Sequence, residues 1–133
     1  MKPGEINKMQ ILSTLQRIFG AENVVCEHRF AAPLRQWRFD YAIPDAMLAI
    51  EYHGHAGFVG GKASGHSTIK GLTNDCEKIN VAQSMGWKVL AFTALHFRYE
   101  GRKKHKLKEI ETTIMDAIAR IQTERELSPN NNQ

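Results

Sequence analysis

Asp40 and Glu51 are the residues whose types and spacing point most directly to chemistry in this chain. Asp40 lies in Trp37-Arg38-Phe39-Asp40-Tyr41 and Glu51 in Leu48-Ala49-Ile50-Glu51-Tyr52-His53-Gly54, with Pro44-Asp45 marking a tight turn between them. Side chains along a strand alternate between its two faces. Trp37, Phe39 and Tyr41 then share one face, and Arg38, Asp40 and Ala42 the other. On the next strand Leu48, Ile50 and Tyr52 share a face, and Met47, Ala49, Glu51 and His53 the other. With the large apolar sets on one side, Asp40, Glu51 and His53 converge on the opposite side, the two acids as near-diagonal neighbours. Carboxylates this close raise each other's pKa unless a cation joins them. Hard oxygen ligands suit Mg²⁺ or Mn²⁺, which can polarise a phosphate and acidify a bound water. The alternative is that Glu51 sits at a solvated strand end and Asp40 pairs with Arg38 or Arg35.

Two residues compete to assist such a water. His53 follows Glu51 by two positions, and imidazole titrates near neutrality. Lys78 lies on a helix, on one face with Asp75, Ala82 and Met85. His55 and His66 belong to a segment in which Gly54, Gly57, Gly60, Gly61, Gly65 and Gly71 hold six of the chain's ten glycines. With His53 they form a loose cluster, either solvated or placed to touch phosphate and help a leaving group. The cations available to a phosphate backbone are Arg35 and Arg38 near the hairpin and Lys62 and Lys70 in the glycine-rich segment. Arg102, Lys103, Lys104, Lys106 and Lys108 form a further basic run, which also reads as a solvated helix face.

The elements that must position these residues follow from periodicity. Residues 5–19 read as an amphipathic helix through Ile6, Met9, Leu12 (with Ile11), Leu15 and Phe19, stopped by Gly20. Strands are expected over 23–30, 36–42 and 47–53, the last apolar enough to be central. The glycine-rich stretch 54–72 reads as a long functional loop. A helix over 73–85, capped by Thr73 or Asn74 and ended by Gly86, leads to a strand over 87–93. Strand, helix and strand form a crossover, hence a parallel pair. The last helix covers about 104–124, with Leu107, Ile110, Ile114, Ala117, Ile118 and Ile121 as its apolar stripe. The class is α/β: a mixed four-stranded sheet flanked by helices, in the order α-β-β-β-α-β-α.

Length and composition set the frame. The 133 residues fit one domain, expected over 1–126, with 127–133 as a polar disordered tail. Eighteen Lys and Arg against fourteen Asp and Glu give a charge of +4, a modest bias toward polyanionic partners. Cys26 and Cys76 fit no zinc spacing and read as reduced, mostly buried thiols. No run is long enough for a signal peptide or a membrane span, so a cytoplasmic protein is expected.

The two segments around Asp40 and Glu51 resemble the metal-binding hairpin of the PD-(D/E)XK nucleases. Asp75-Cys76-Glu77-Lys78-Ile79-Asn80, followed by Gly86-Trp87-Lys88-Val89-Leu90, is similar to the very-short-patch-repair endonucleases and their compact relatives. The resemblance spans roughly residues 5–93. It implies a restriction-endonuclease-like core and Mg²⁺-dependent hydrolysis of DNA phosphodiester bonds, with Mn²⁺ able to substitute. Asp40, Glu51 and the backbone carbonyl of Tyr52 would hold the metal. The family usually has Lys two positions beyond the Glu, where this chain has His53, so His53 acts there or Lys78 supplies a migrated ammonium. Glu5 resembles an extra upstream acid of some members. Arg35, Arg38, His55, Lys62, His66 and Lys70 would contact DNA, and so small a domain is expected to act as a homodimer or on a structured substrate. The alternatives are a DNA-binding module that lost catalysis through His53, and a His-cluster, HNH-like nuclease built on His53, His55 and His66.

Overall fold

Pro3 at the first position of a helix forfeits no hydrogen bond, and Glu5 reaches back to the Lys2 amide at 3.2 Å. Helix α1 (Pro3–Phe19) therefore starts two residues earlier than its apolar pattern predicts, and Glu5 caps it. Gly20, at φ +88°, ends it. The buried residues of α1 are Ile11, Thr14 and Leu15, whereas Ile6 and Met9 are exposed. Its inward stripe thus passes through Asn7, Lys8, Ile11 and Leu15. This computed structural model describes residues 1–54, 58–59, 62–63, 68–97 and 106–128.

The chain continues through β1 (Val25–His28), β2 (Phe39–Ile43) and β3 (Leu48–His53). All three are shorter than the apolar runs suggest. A 3₁₀ turn, Pro44–Ala46, joins β2 to β3 and closes with Met47 at φ +50°. Met47 therefore belongs to the turn and not to the strand. A two-stranded antiparallel ribbon, β4 (Phe58–Val59) with β5 (Lys62–Ala63), occupies part of the stretch read as loop. Helix α2 (Ile69–Ser84) takes the end of that stretch as well. Its cap is Thr68, whose hydroxyl accepts the Gly71 amide at 2.9 Å. Thr73 and Asn74, the two expected caps, lie inside the helix, and the Thr73 hydroxyl donates to the Ile69 carbonyl. Gly86, at φ +98°, follows α2 and leads into β6 (Lys88–Thr93).

The main sheet has the order β1-β2-β3-β6. The first three strands are antiparallel neighbours, and β6 lies parallel to β3 from Leu48 beside Lys88 to His53 beside Thr93. Among the described residues the fold is α/β, with a mixed four-stranded sheet and three helices. Strand β3 is central, and Leu48, Ala49 and Ile50 are wholly buried. Ala42 and Ala49 sit in one cluster with Ala82 of α2, Phe30, Phe39 and Trp87. Three alanines at that junction leave room for the helix backbone to approach the sheet. Phe39 packs here and not with Tyr41, contrary to strict alternation; beside it Glu27 of β1, at φ +53°, interrupts the β1–β2 ladder.

Two compact units divide the chain, Met1–Leu95 and His96–Gln133. The second carries α3 (Lys106–Leu127), whose buried stripe is Ile110, Ile114, Ala117 and Ile121; Leu107 is exposed. Helix α3 includes Leu127, expected in the tail, and residues 129–133 lie outside the described residues. Cys26 and Cys76 are free and exposed, not buried. Cys26 lies on the edge strand β1 and Cys76 on the solvent side of α2. No helix among the described residues is long and apolar enough to cross a membrane.

The start of α2 is open to a direct check. Thr68→Ala should destabilise the protein by about 1 kcal/mol, as loss of an N-cap does, while Thr73→Ala should change stability by less than about 0.5 kcal/mol. Urea denaturation of both variants measures the difference.

Candidate functional site

The site forms where β2 and β3 part. The last pair of their register is Tyr41 with Ile50, and Asp40 and Glu51 are the next residues on the two strands. The backbone ladder stops there. The Tyr52 amide donates to Asp40 Oδ2 at 2.7 Å, where a longer ladder would offer it a backbone carbonyl of β2. An amide held by a carboxylate makes a strong, directional bond, so the strand end itself orients Asp40.

Glu51 is buried, at 6% exposure. That overturns the alternative of a solvated strand end. Burial pushes its carboxyl up from 4.5 to about 7; the bonded Lys78 ammonium lowers it, and Asp40 raises it further. Lys78 Nζ donates to Glu51 Oε1 and lies 5.8 Å from the centre of the Phe39 ring. The ammonium is thus held between a carboxylate and an aromatic face. Lys78 sits one helical turn before Ala82, whose complete burial fixes which side of α2 meets the sheet.

Helix α1 supplies further contacts. Lys8 Nζ lies 3.5 Å from Asp40 Oδ1, so the partner of Asp40 is Lys8 and neither Arg38 nor Arg35. The Tyr41 hydroxyl donates to the Lys8 carbonyl at 3.1 Å, and burial, with Asp40 adding, raises the Tyr41 pKa to about 12. Asn7 Nδ2 donates to the Tyr52 hydroxyl at 2.8 Å. A Cβ on Gly54 would collide with the Tyr52 ring, so glycine at that position lets the ring lie along its own strand. Sequence reasoning missed Asn7 and Lys8. Their signal was the stripe Ile11, Leu15 and Ile18, which extends back through positions 7 and 8, but the apolar Ile6 and Met9 outweighed it. The upstream acid expected at Glu5 is engaged in capping α1.

The other expected residues separate into three groups. His53 is half-buried on β3, beside Thr93 of β6, and shares the face of Glu51 by alternation. Arg35, Arg38 and Lys70 are exposed. The Arg35 guanidinium stacks over Trp37 at 4.7 Å, Arg38 approaches Glu27 at 4.0 Å, and Lys70 stands in the first turn of α2. His55, His66 and the side chain of Lys62 lie outside the described residues.

No group of three or more His, Cys, Asp or Glu that could hold a metal stands among the described residues. A divalent ion at this site would rest on Asp40 and Glu51. Their chemistry fits one: Mg²⁺ commonly takes one or two protein carboxylates and completes its shell with water and phosphate. Burial disfavours the ionised Glu51 carboxyl and Asp40 beside it adds to that, so a cation between the two acids would relieve both effects.

In comparisons with known proteins, no family model, no curated protein and no solved structure matches the chain. The functional reading therefore rests on these residues and their physical chemistry.

The electrostatics of Glu51 predict a pH dependence of stability. Between pH 4.5 and about 7 the folded chain keeps the Glu51 proton while the unfolded chain has lost it. Stability then falls as pH rises through this window, because the folded state binds more protons. Glu51→Gln, which stays neutral, should flatten the fall and leave the variant more stable than the native chain at pH 8. Denaturation midpoints at pH 5 and pH 8 measure both effects, and a native chain more stable at pH 8 would contradict the assignment.

Proposed function

We propose that this chain is a metal-dependent endonuclease of the PD-(D/E)XK type that hydrolyses DNA phosphodiester bonds, acting with Mg²⁺ or Mn²⁺. One observation carries the reading: Asp40 and Glu51 stand side by side at a strand divergence, and Lys78 bonds Glu51. A restriction-endonuclease-like core is the fold this implies, and the four-stranded mixed sheet is consistent with it.

Asp40, Glu51 and the Tyr52 carbonyl would hold the ion, and Lys8 and Lys78 would otherwise be the counter-charges of the two acids. A divalent ion in such a place polarises the phosphate and lowers the pKa of a coordinated water. The Tyr52 amide keeps Asp40 oriented, so this carboxylate needs little reorganisation when substrate arrives. Lys78 offers a fixed ammonium, partly shielded from water, against charge developing on phosphorus oxygens. His53 is the candidate to receive a proton from the attacking water. Arg35, Arg38 and Lys70 supply exposed positive charge for the phosphate backbone. Its identity as a DNA enzyme and any homodimer belong to this proposal.

Asp40→Asn and Glu51→Gln should each abolish nicking of supercoiled plasmid while the chain stays folded, because they remove charge and not packing. Mg²⁺ or Mn²⁺ should support nicking and Ca²⁺ should not, since its longer bonds and looser geometry activate water poorly. At pH 8, Mg²⁺ should also raise the melting temperature of the native chain but not of Glu51→Gln, as a ligand of the folded state must. Undiminished nicking in EDTA, or in either variant, would defeat the reading.

Lys78 and His53 separate by pH profile. Lys78→Ala should slow single-turnover cleavage by about 10²-fold, as loss of a transition-state contact does, with an unaltered profile below about pH 9. His53→Ala should flatten the rise in rate between about pH 6 and pH 7.5. Cleavage by Lys78→Ala at the native rate would leave His53 as the assisting residue.

A further inference from the structure

The nuclease reading gives Asp40, Glu51 and Lys78 their roles but leaves Lys8 without one. Lys8 is no casual surface lysine. It lies on the buried stripe of α1, one turn before the fully buried Ile11. Its carbonyl takes the Tyr41 hydroxyl, and its neighbour Asn7 holds the Tyr52 hydroxyl, so the base of its side chain is tied to both strands of the hairpin. Its ammonium also lies 5.9 Å from the centre of the Tyr41 ring.

The two lysines are held differently. Lys78 is 18% exposed and tightly bonded to Glu51. Lys8 is 37% exposed and 3.5 Å from Asp40, longer than a strong charge-assisted bond, which is about 2.7–2.9 Å. Its ammonium can leave Asp40 for another anion without moving its backbone.

The charges point the same way. Two acids facing two lysines are balanced. A divalent ion shared by the acids leaves the pair of ammonium groups uncompensated. A phosphodiester brings a single negative charge, and its pentacoordinate transition state brings a second, so positive charge at this place is best matched when the reaction is under way.

We propose that Lys8 is the second working cation of the site, the counter-ion of Asp40 in the metal-free chain and a ligand of the substrate phosphate once a divalent ion takes the carboxylates. The inference rests on the nuclease reading. It makes α1 part of the site and gives Lys8 two opposed effects: it competes with the metal and it assists cleavage.

The test compares the native full-length chain with Lys8→Met, which keeps the aliphatic stem, and Lys8→Arg, which keeps the charge. Mn²⁺ affinity is read from the electron paramagnetic resonance signal of the free ion, and cleavage from single-turnover nicking of plasmid at saturating Mn²⁺. Lys8→Met should bind Mn²⁺ up to about fivefold more tightly, the most a part-exposed ion pair contributes. It should nonetheless cleave roughly 10²-fold more slowly, as loss of one transition-state donor does. Lys8→Arg should restore most of the cleavage. Unchanged cleavage by Lys8→Met overturns the inference, and so does weaker Mn²⁺ binding, which marks a residue that only positions Asp40. Those outcomes leave the nuclease reading intact if the native chain binds Mn²⁺ and cleaves. A native chain that does neither removes that reading, and this inference with it.

Discussion

A carboxylate buried on the central strand of the sheet is the constraint around which the rest of the structure is arranged. Glu51 follows three wholly buried residues on β3, with β2 on one side and β6 on the other. Water cannot solvate it fully there, and its ionised form is disfavoured accordingly. Positive charge must come from the elements packed beside the strand. Helix α2 brings Lys78, and it can do so because Ala42, Ala49 and Ala82 are small enough to let it lie near the sheet.

Asp40 makes the same difficulty worse, since it is a second acid at the same strand end. The chain resolves this partly with its own backbone: the Tyr52 amide, freed by the divergence of β2 from β3, bonds the Asp40 carboxylate. The end of a ladder normally leaves amides for solvent. Here one such amide orients an acid. Lys8 completes the arrangement from α1, so two helices that never adjoin in sequence each contribute an ammonium.

Keeping two acids together at a loss of stability makes physical sense when the pair has a task. A carboxyl pKa raised by burial beside charged partners is common where a cation or substrate is to be received. A hydrophobic residue at position 51 would remove the buried carboxylate but leave the Lys78 ammonium without its partner. Any divalent ion bound by the pair would also offset the burial of the Glu51 carboxylate that weakens the folded state at alkaline pH.

Several features of this arrangement were legible in the chain. Alternation and the Pro44-Asp45 turn place Asp40 and Glu51 on facing strands, and the parallel β3–α2–β6 unit follows from its apolar runs. Lys78 could be named because its helix has an evident phase around Ala82. Other features were not legible. Helix phase in α1 depended on contacts distant in sequence: Asn7 and Lys8 turn inward because Tyr52, Tyr41 and Asp40 await them, and local hydrophobicity favoured Ile6 and Met9 instead. Thr68 capped α2 although Gly71 made that stretch read as loop. Phe39 left the face that alternation gave it, next to the point where Glu27 at φ +53° interrupts the β1–β2 ladder. By itself the sequence determined the period of each element, and so which residues could meet across neighbouring strands. Only the tertiary structure decided where the ladder ended and which face of each helix met the sheet, because those depend on hydrogen bonds and charges between residues far apart in the chain.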